Sequence, residues 1–195
     1  MNFILNLAAK YQETAWKVVA DTEIVSIWKF FGAEVNLVGS LKTGLLINNR
    51  DIDFHIYSEP FRLSDSFGAI AKLAENPRIK KITYANLLDT QEICLEWHAW
   101  YQDDEDNLWQ IDLIHLRKDS PYAGKFERVA ERILAVLTDE TKEAILTIKN
   151  SAPPGQKVIG IEVYQAVIRD GIRNYQDFIS WRTNRDRPSI IEWEP

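Results

Sequence analysis

Apolar residues recur at helical spacing over the first 20 residues. Ile4, Leu7, Ala8, Tyr11, Ala15, Val18 and Val19 fall on one face and predict a helix. Asp21 or Thr22 stands where an N-cap belongs, so a second helix is expected to end near Gly32. Residues 34–38, EVNLV, read as a short strand. Residues 51–57, DIDFHIY, alternate strictly. Ile52, Phe54 and Ile56 face one way, and Asp51, Asp53, His55 and Tyr57 the other. Ser64 or Asp65 opens a third helix to about Glu75, stopped by Asn76-Pro77. Strands are expected over 79–87, 92–102 and 108–116, the last two joined through the acidic turn DDEDN as a hairpin. From residue 124 the spacing is helical again, over about 124–137, 139–150 and 160–182, with Ser151-Ala-Pro-Pro-Gly155 as the break. The tail from Thr183 to Pro195 reads as irregular. A mixed sheet between helices at both ends is an α+β architecture.

Composition narrows the function classes. The 195 residues are 46% hydrophobic and include seven Trp, eight Phe and seven Tyr, enough bulk for a substantial core. No apolar run is long enough to span a membrane, and the N-terminus lacks the pattern of a signal peptide. Cys94 is the single cysteine, set in an apolar run, so a buried thiol and a reducing cytoplasm are expected. The net charge of −6 disfavours a long nucleic acid as partner, because such binding draws its affinity from basic surfaces.

Candidate chemistry concentrates in VGSLKTGLLINNRDIDFHIYSE, residues 38–59. Carboxylates at i and i+2 of a strand share a face, about 7 Å apart at the backbone, and can converge on a hard divalent cation. Mg²⁺ takes one or two protein carboxylates and completes its shell with water and phosphate oxygens. The preceding Gly39-Ser40 suits the phosphates. A glycine admits close approach to backbone N–H groups, the Ser40 hydroxyl can donate, and Gly44 permits a second turn with positive φ. There is no Walker A sequence, no G-x-G-x-x-G, no G-x-S-x-G and no zinc-ligand spacing. His55 shares the face of the two aspartates, whereas His98 and His115 fall in the hairpin. Lys125, Arg128 and Arg132 share one helix face, read as solvated or, alternatively, as a cationic wall for phosphates.

The run G-S-x-x-x-G-x-x-x-x-x-x-D-I-D, with Gly39, Ser40, Gly44, Asp51 and Asp53 in place, resembles the signature of the DNA polymerase β-like nucleotidyltransferases. The resemblance runs from the helix before Gly39 to the strand 108–116. It implies a polymerase β-like core over 1–120, a mixed sheet with flanking helices, and a C-terminal helical extension over 121–195. It implies transfer of a nucleoside monophosphate from an NTP, with ATP favoured, to an acceptor hydroxyl with release of pyrophosphate. Two Mg²⁺ ions, or Mn²⁺ in their place, would be held by Asp51 and Asp53, with a third carboxylate on a later strand ligating the ion that activates the acceptor. That third group is Asp112 in LWQIDLIHL, with Glu96 as its competitor. The phosphates would lie on Gly39, Ser40, Lys42 and Gly44. A small molecule or a protein is favoured as acceptor over a long nucleic acid, with a tRNA end as the remaining alternative. The alternatives are a non-catalytic nucleotide-binding or toxin–antitoxin module of the same fold and a metal-dependent phosphohydrolase.

Overall fold

The computed structural model describes residues 2–153, 156, 158–185 and 193–195. Helix α1 (Phe3–Asp21) and the short α2 (Ile24–Phe30) precede strand β1 (Glu34–Val38). Neither Asp21 nor Thr22 caps α2. Thr22 closes α1, its hydroxyl donating to the Val18 carbonyl, and Glu23 turns the chain through a left-handed φ of 49°. A single helical turn, α3 (Gly39–Thr43), follows β1 directly, and Gly44 ends it at φ 71°. Strand β2 (Asp51–Ser58) leads to α4 (Leu63–Ala74), which starts from Arg62 rather than from Ser64 or Asp65.

Strands β3 (Ile79–Asn86), β4 (Leu95–Gln102) and β5 (Leu108–Arg117) complete a five-stranded sheet of order β1-β2-β5-β4-β3. β2 and β5 run parallel, and the other neighbouring pairs are antiparallel. The β4–β5 hairpin forms as its acidic turn predicts. The Asp103 carboxylate accepts from the Glu105 and Asn107 backbone N–H groups and from Trp109 Nε1. β4 begins at Leu95 rather than residue 92.

Helices α5 (Lys125–Val136), α6 (Asp139–Asn150), α7 (Gly160–Ile168) and α8 (Tyr175–Thr183) follow. One helix was expected over 160–182, and two are present. Gly171 adopts a left-handed φ of 71°, and the Asn174 side chain caps a fresh start by accepting from the Asp177 N–H. The apolar spacing persists through the break because Tyr164, Ile168, Ile172, Tyr175 and Ile179 all join one cluster. Pro154 and Gly155 of the predicted break, and residues 186–192 of the predicted irregular tail, lie outside the described residues.

Burial follows the pleat. Ile52, Phe54 and Ile56 turn to the helical layer and pack with Trp28, Ala69, Leu73 and Trp97 in the first core cluster. Each such fully buried side chain contributes about 1.5–3 kcal/mol by leaving water. A second cluster joins Ile133, Ile145, Val163 and Phe178 of the C-terminal helices to Leu45 and Ile47, which follow α3. α1 serves both, giving Ala15 and Val18 to the first cluster and Ile4 and Ala8 to the second. Among the described residues no helix is long and apolar enough to cross a membrane. Cys94 is buried, and burial pushes its thiol up to about 11, away from thiolate chemistry.

Candidate active site

The face of the sheet opposite the first core carries Asp51, Asp53 and His55 on β2 and Gln110, Asp112 and Ile114 on β5. Parallel pairing sets Asp53 directly beside Asp112 and Asp51 beside Gln110. A cavity of about 570 Å³ opens over this face, and all three aspartates line it together with Gly39 and Ser40. Its opposite wall comes from α5 and α7, through Lys125, Val129, Gly160 and Tyr164. Thus a turn after β1, two central strands and two C-terminal helices meet at one place.

Among the described residues, no three of the His, Cys, Asp and Glu side chains form a ready-made ion cage. The three aspartates line the cavity without converging to one. That suits a cation that takes only one or two protein carboxylates and gains its remaining oxygens from water and phosphate. The donor set is oxygen-only, as Mg²⁺ or Mn²⁺ prefers.

Asp112 is oriented by its neighbours. His98 Nδ1 lies 2.5 Å and Gln110 Nε2 2.7 Å from the same oxygen, Oδ1. Both contacts fall on Oδ1 and neither uses Oδ2. His98 Nε2 in turn lies 3.1 Å from Glu96 Oε1. Glu96 sits opposite Ile114, a strand further from β2, and does not line the cavity. Of the two competing carboxylates, Asp112 is therefore the one brought to Asp51 and Asp53.

The turn after β1 is built around Gly39, at φ 67°. A Cβ there would collide with the Asp53 carboxylate. The requirement for glycine is thus set by a carboxylate of the same site, in addition to any need of a phosphate. Ser40 Oγ lies 3.0 Å from Tyr164 OH and 2.9 Å from Lys149 Nζ. Lys149 is 6% exposed and also donates to the Leu45 carbonyl at 2.7 Å. An ammonium can only donate, so Ser40 Oγ accepts from Lys149, and its own hydrogen is left for Tyr164 or for a ligand in the cavity. Lys149 stands behind Ser40 rather than in the cavity wall.

Lys42 does not share this site. It is exposed on α3, one residue past the buried Leu41, because the helical turn carries it away from the cavity. Gly44 ends α3 and likewise lies outside the lining. The cation next to the Gly-Ser turn is Lys149, which the sequence reading did not single out. Its signal was a lysine at the i+3 and i+4 positions from the apolar Leu146 and Ile145. Of the three basic residues on α5, only Lys125 lines the cavity. Arg128 is exposed, and Arg132 pairs with Glu194 at 2.8 Å. Burial depresses the His55 and His115 pKa values to about 4, so both rings are neutral at pH 7. His55 lines the cavity against Phe126, whereas His115 lies outside it between Trp28 and Phe61.

The nucleotidyltransferase domain family matches residues 21–143. A search of curated proteins returns no match. Among solved structures the chain is similar to the GLD-2–GLD-3 poly(A) polymerase complex, with a TM-score of 0.55 and 11% identity over 86% of this chain and 58% of that one. It is also similar to the Cid1 poly(U) polymerase with MgGTP bound, at 0.57 and 14% over 81% and 49%. A cytoplasmic RNA terminal U-transferase matches at 0.52 and 12% over 81% and 50%. At such identities the likeness is one of fold, and the chain spans about half the length of these structures.

Proposed function

The chain belongs to the nucleotidyltransferase domain family, and from that premise we propose that it transfers a nucleoside monophosphate from an NTP, with ATP favoured, to an acceptor hydroxyl. The observation that carries this reading is the register of Asp53 against Asp112 in one cavity, with the Gly39-Ser40 turn at its edge. Asp51 and Asp53 would hold Mg²⁺, or Mn²⁺ in its place, with Asp112 as the third carboxylate. Divalent ions bound there would supply positive charge that stabilises the displacement at the α-phosphorus.

The other roles fall to this chain's own groups. Gly39 N–H and the Ser40 hydroxyl, with Lys149 behind it, would hold the β and γ phosphates. Asp112, turned by His98 and Gln110, would receive the acceptor's proton through its second oxygen. The acceptor oxygen bonds to the α-phosphorus. The bond from that phosphorus to the bridging oxygen breaks, and pyrophosphate leaves with the electron pair. The neutral His55 and the apolar residues of α5 would keep water from the reacting phosphate. A core over 1–120 with a helical extension over 121–195, working in the cytoplasm, belongs to the same reading.

Calorimetry with Mg²⁺ and a non-hydrolysable ATP analogue tests the site. Asp51→Asn and Asp53→Asn should each abolish the Mg²⁺-dependent part of the binding, and unchanged affinity in both overturns the metal assignment. Incubation with α-labelled NTPs tests the reaction. Tight binding with no labelled acceptor for any of the four nucleotides would favour the non-catalytic module, and release of phosphate or pyrophosphate without an acceptor would favour the hydrolase.

A further inference from the structure

An in-line displacement sets the entering oxygen and the leaving pyrophosphate on opposite sides of the α-phosphorus. The Gly39-Ser40 turn lies on the β1 side of Asp53. The entering oxygen must then come from the other side, past Asp112 and over β4 and β3, where the sheet order continues.

Among the described residues that part of the same sheet face is part-exposed. Glu96, His98, Trp100 and Gln102 of β4 are part-exposed, while the alternate Leu95, Trp97, Ala99 and Tyr101 are buried. Trp100 pairs with Gln110 on one side and with Lys81 on the other. The Lys81 ammonium lies 4.4 Å from the centre of the Trp100 ring. Trp100 is one strand across and two residues along from Asp112, about 8 Å at the backbone. One nucleotide can bridge that distance.

We infer that Trp100 and Lys81 form the acceptor subsite, and that the acceptor ends in a nucleotide. Its base stacks on Trp100, its phosphate takes Lys81 off the ring, and its terminal ribose hydroxyl reaches Asp112. The inference rests on the nucleotidyltransferase reading above and adds the substrate class to it. An aromatic face beside a cation fits a base joined to a phosphate. A tyrosine ring on a protein acceptor would use the Trp100 face but offer Lys81 no anion. The chain's net charge of −6 disfavours affinity drawn from the phosphates of a long strand. Recognition is therefore confined to the last residue of the acceptor, which reconciles a nucleic-acid end with an acidic chain.

The test is fluorescence anisotropy of a 5′-labelled single-stranded RNA pentamer with the full chain, Mg²⁺ and a non-hydrolysable ATP analogue. The pentamer should bind, and a 15-mer should bind no more tightly. Trp100→Ala should weaken pentamer binding about tenfold or more, the scale of one base–aromatic stack. Trp100→Phe, which keeps a ring, should retain most of the affinity. Lys81→Ala should weaken binding and flatten its dependence on the logarithm of salt by about 0.7, the share of one phosphate on a single strand. Lys81→Arg should restore both. Binding of Mg²⁺–NTP without binding of the pentamer overturns the inference alone, as does a Trp100→Ala protein that binds the pentamer like wild type. Label found on a protein hydroxyl, undiminished by Trp100→Ala, does the same and assigns the other acceptor class. Failure of wild type to bind Mg²⁺–NTP at all overturns the underlying reading as well.

Discussion

Lys149 donates to Ser40 across 109 residues of chain, its Nζ 2.9 Å from the serine Oγ, and so ties the end of α6 to the turn after β1. A buried ammonium is costly unless it is paired, and here it has the Ser40 hydroxyl and the Leu45 carbonyl as partners. Its charge stands one hydrogen bond behind the place proposed for the NTP phosphates.

Lys149→Met keeps the length of the side chain and removes the charge. NTP affinity should fall about tenfold or more, the scale of one charge-assisted hydrogen bond. AMP, which lacks the β and γ phosphates, should lose little. Isothermal titration with both ligands decides it. Equal losses would mean that Lys149 only supports the fold through Leu45.

Gly39 makes a sharper demand. Any other residue must hold a φ of 67° and push its Cβ into the Asp53 carboxylate. The left-handed backbone alone costs about 1–2 kcal/mol. Gly39→Ala should lower the melting temperature of the ligand-free protein by about 2–8 °C, given about 2–4 °C per kcal/mol in a domain of this size. It should also abolish Mg²⁺-dependent NTP binding, because Asp53 is displaced. A variant that melts like wild type and binds Mg²⁺–NTP would contradict the observed packing of the turn.

These two residues mark what the sequence could and could not disclose. The strict alternation of D-I-D-F-H-I-Y placed Asp51, Asp53 and His55 on one face, because a strand's period of two is local. Gly39 stood out through its spacing from D-I-D, although the collision with Asp53 needs β1 and β2 paired to be seen. The partnership of Asp53 with Asp112 depends on parallel pairing of distant strands, which no local period encodes, and only the family resemblance pointed to it. The contact of His98 with Asp112 follows from the β4–β5 register. Lys149 reads locally as one more lysine near a helix end, and its partners lie about a hundred residues away. The break between α7 and α8 was missed because the apolar spacing continues through it, while Gly171 and Asn174 carried the signal.

Protonation of buried histidine should set the acid side of stability. Burial between Trp28 and Phe61 lowers the His115 pKa from its ordinary 6.5 to about 4, and its Nε2 lies 2.8 Å from Ser58 Oγ. In the unfolded chain the ring takes up a proton near 6.5. Between these values the unfolded state binds the extra proton, so this contribution is complete above about pH 6.5 and is lost as pH falls towards 4. A single group contributes at most about 1.4 kcal/mol per pH unit. Denaturant titrations from pH 7 to pH 4.5 should show wild type losing stability. His115→Gln, which can still bond Ser58, should follow a shallower slope. His55 titrates in the same window, so the slope should shrink rather than vanish. Parallel curves for wild type and variant would show that His115 is not held neutral by the fold.

Asp112 separates transfer from binding. Its Oδ1 is engaged by His98 and Gln110, and it lies beside Asp53, on the side proposed above for the entering acceptor. If Asp51 and Asp53 suffice for the metal-bound nucleotide, Asp112→Ala should still bind NTP. It should lose transfer by at least about a hundredfold, the lower range for removing a positioned proton acceptor. His98→Ala should act on the same step more weakly, because it leaves the carboxylate in place and frees only its orientation. The loss in His98→Ala should therefore appear in kcat, with KM for NTP nearly unchanged. Single-turnover transfer from α-labelled NTP, alongside calorimetry, measures both quantities. If Asp112→Ala transfers as fast as wild type, the third carboxylate lies elsewhere. Glu96, joined to Asp112 through His98, would then be the residue to replace next.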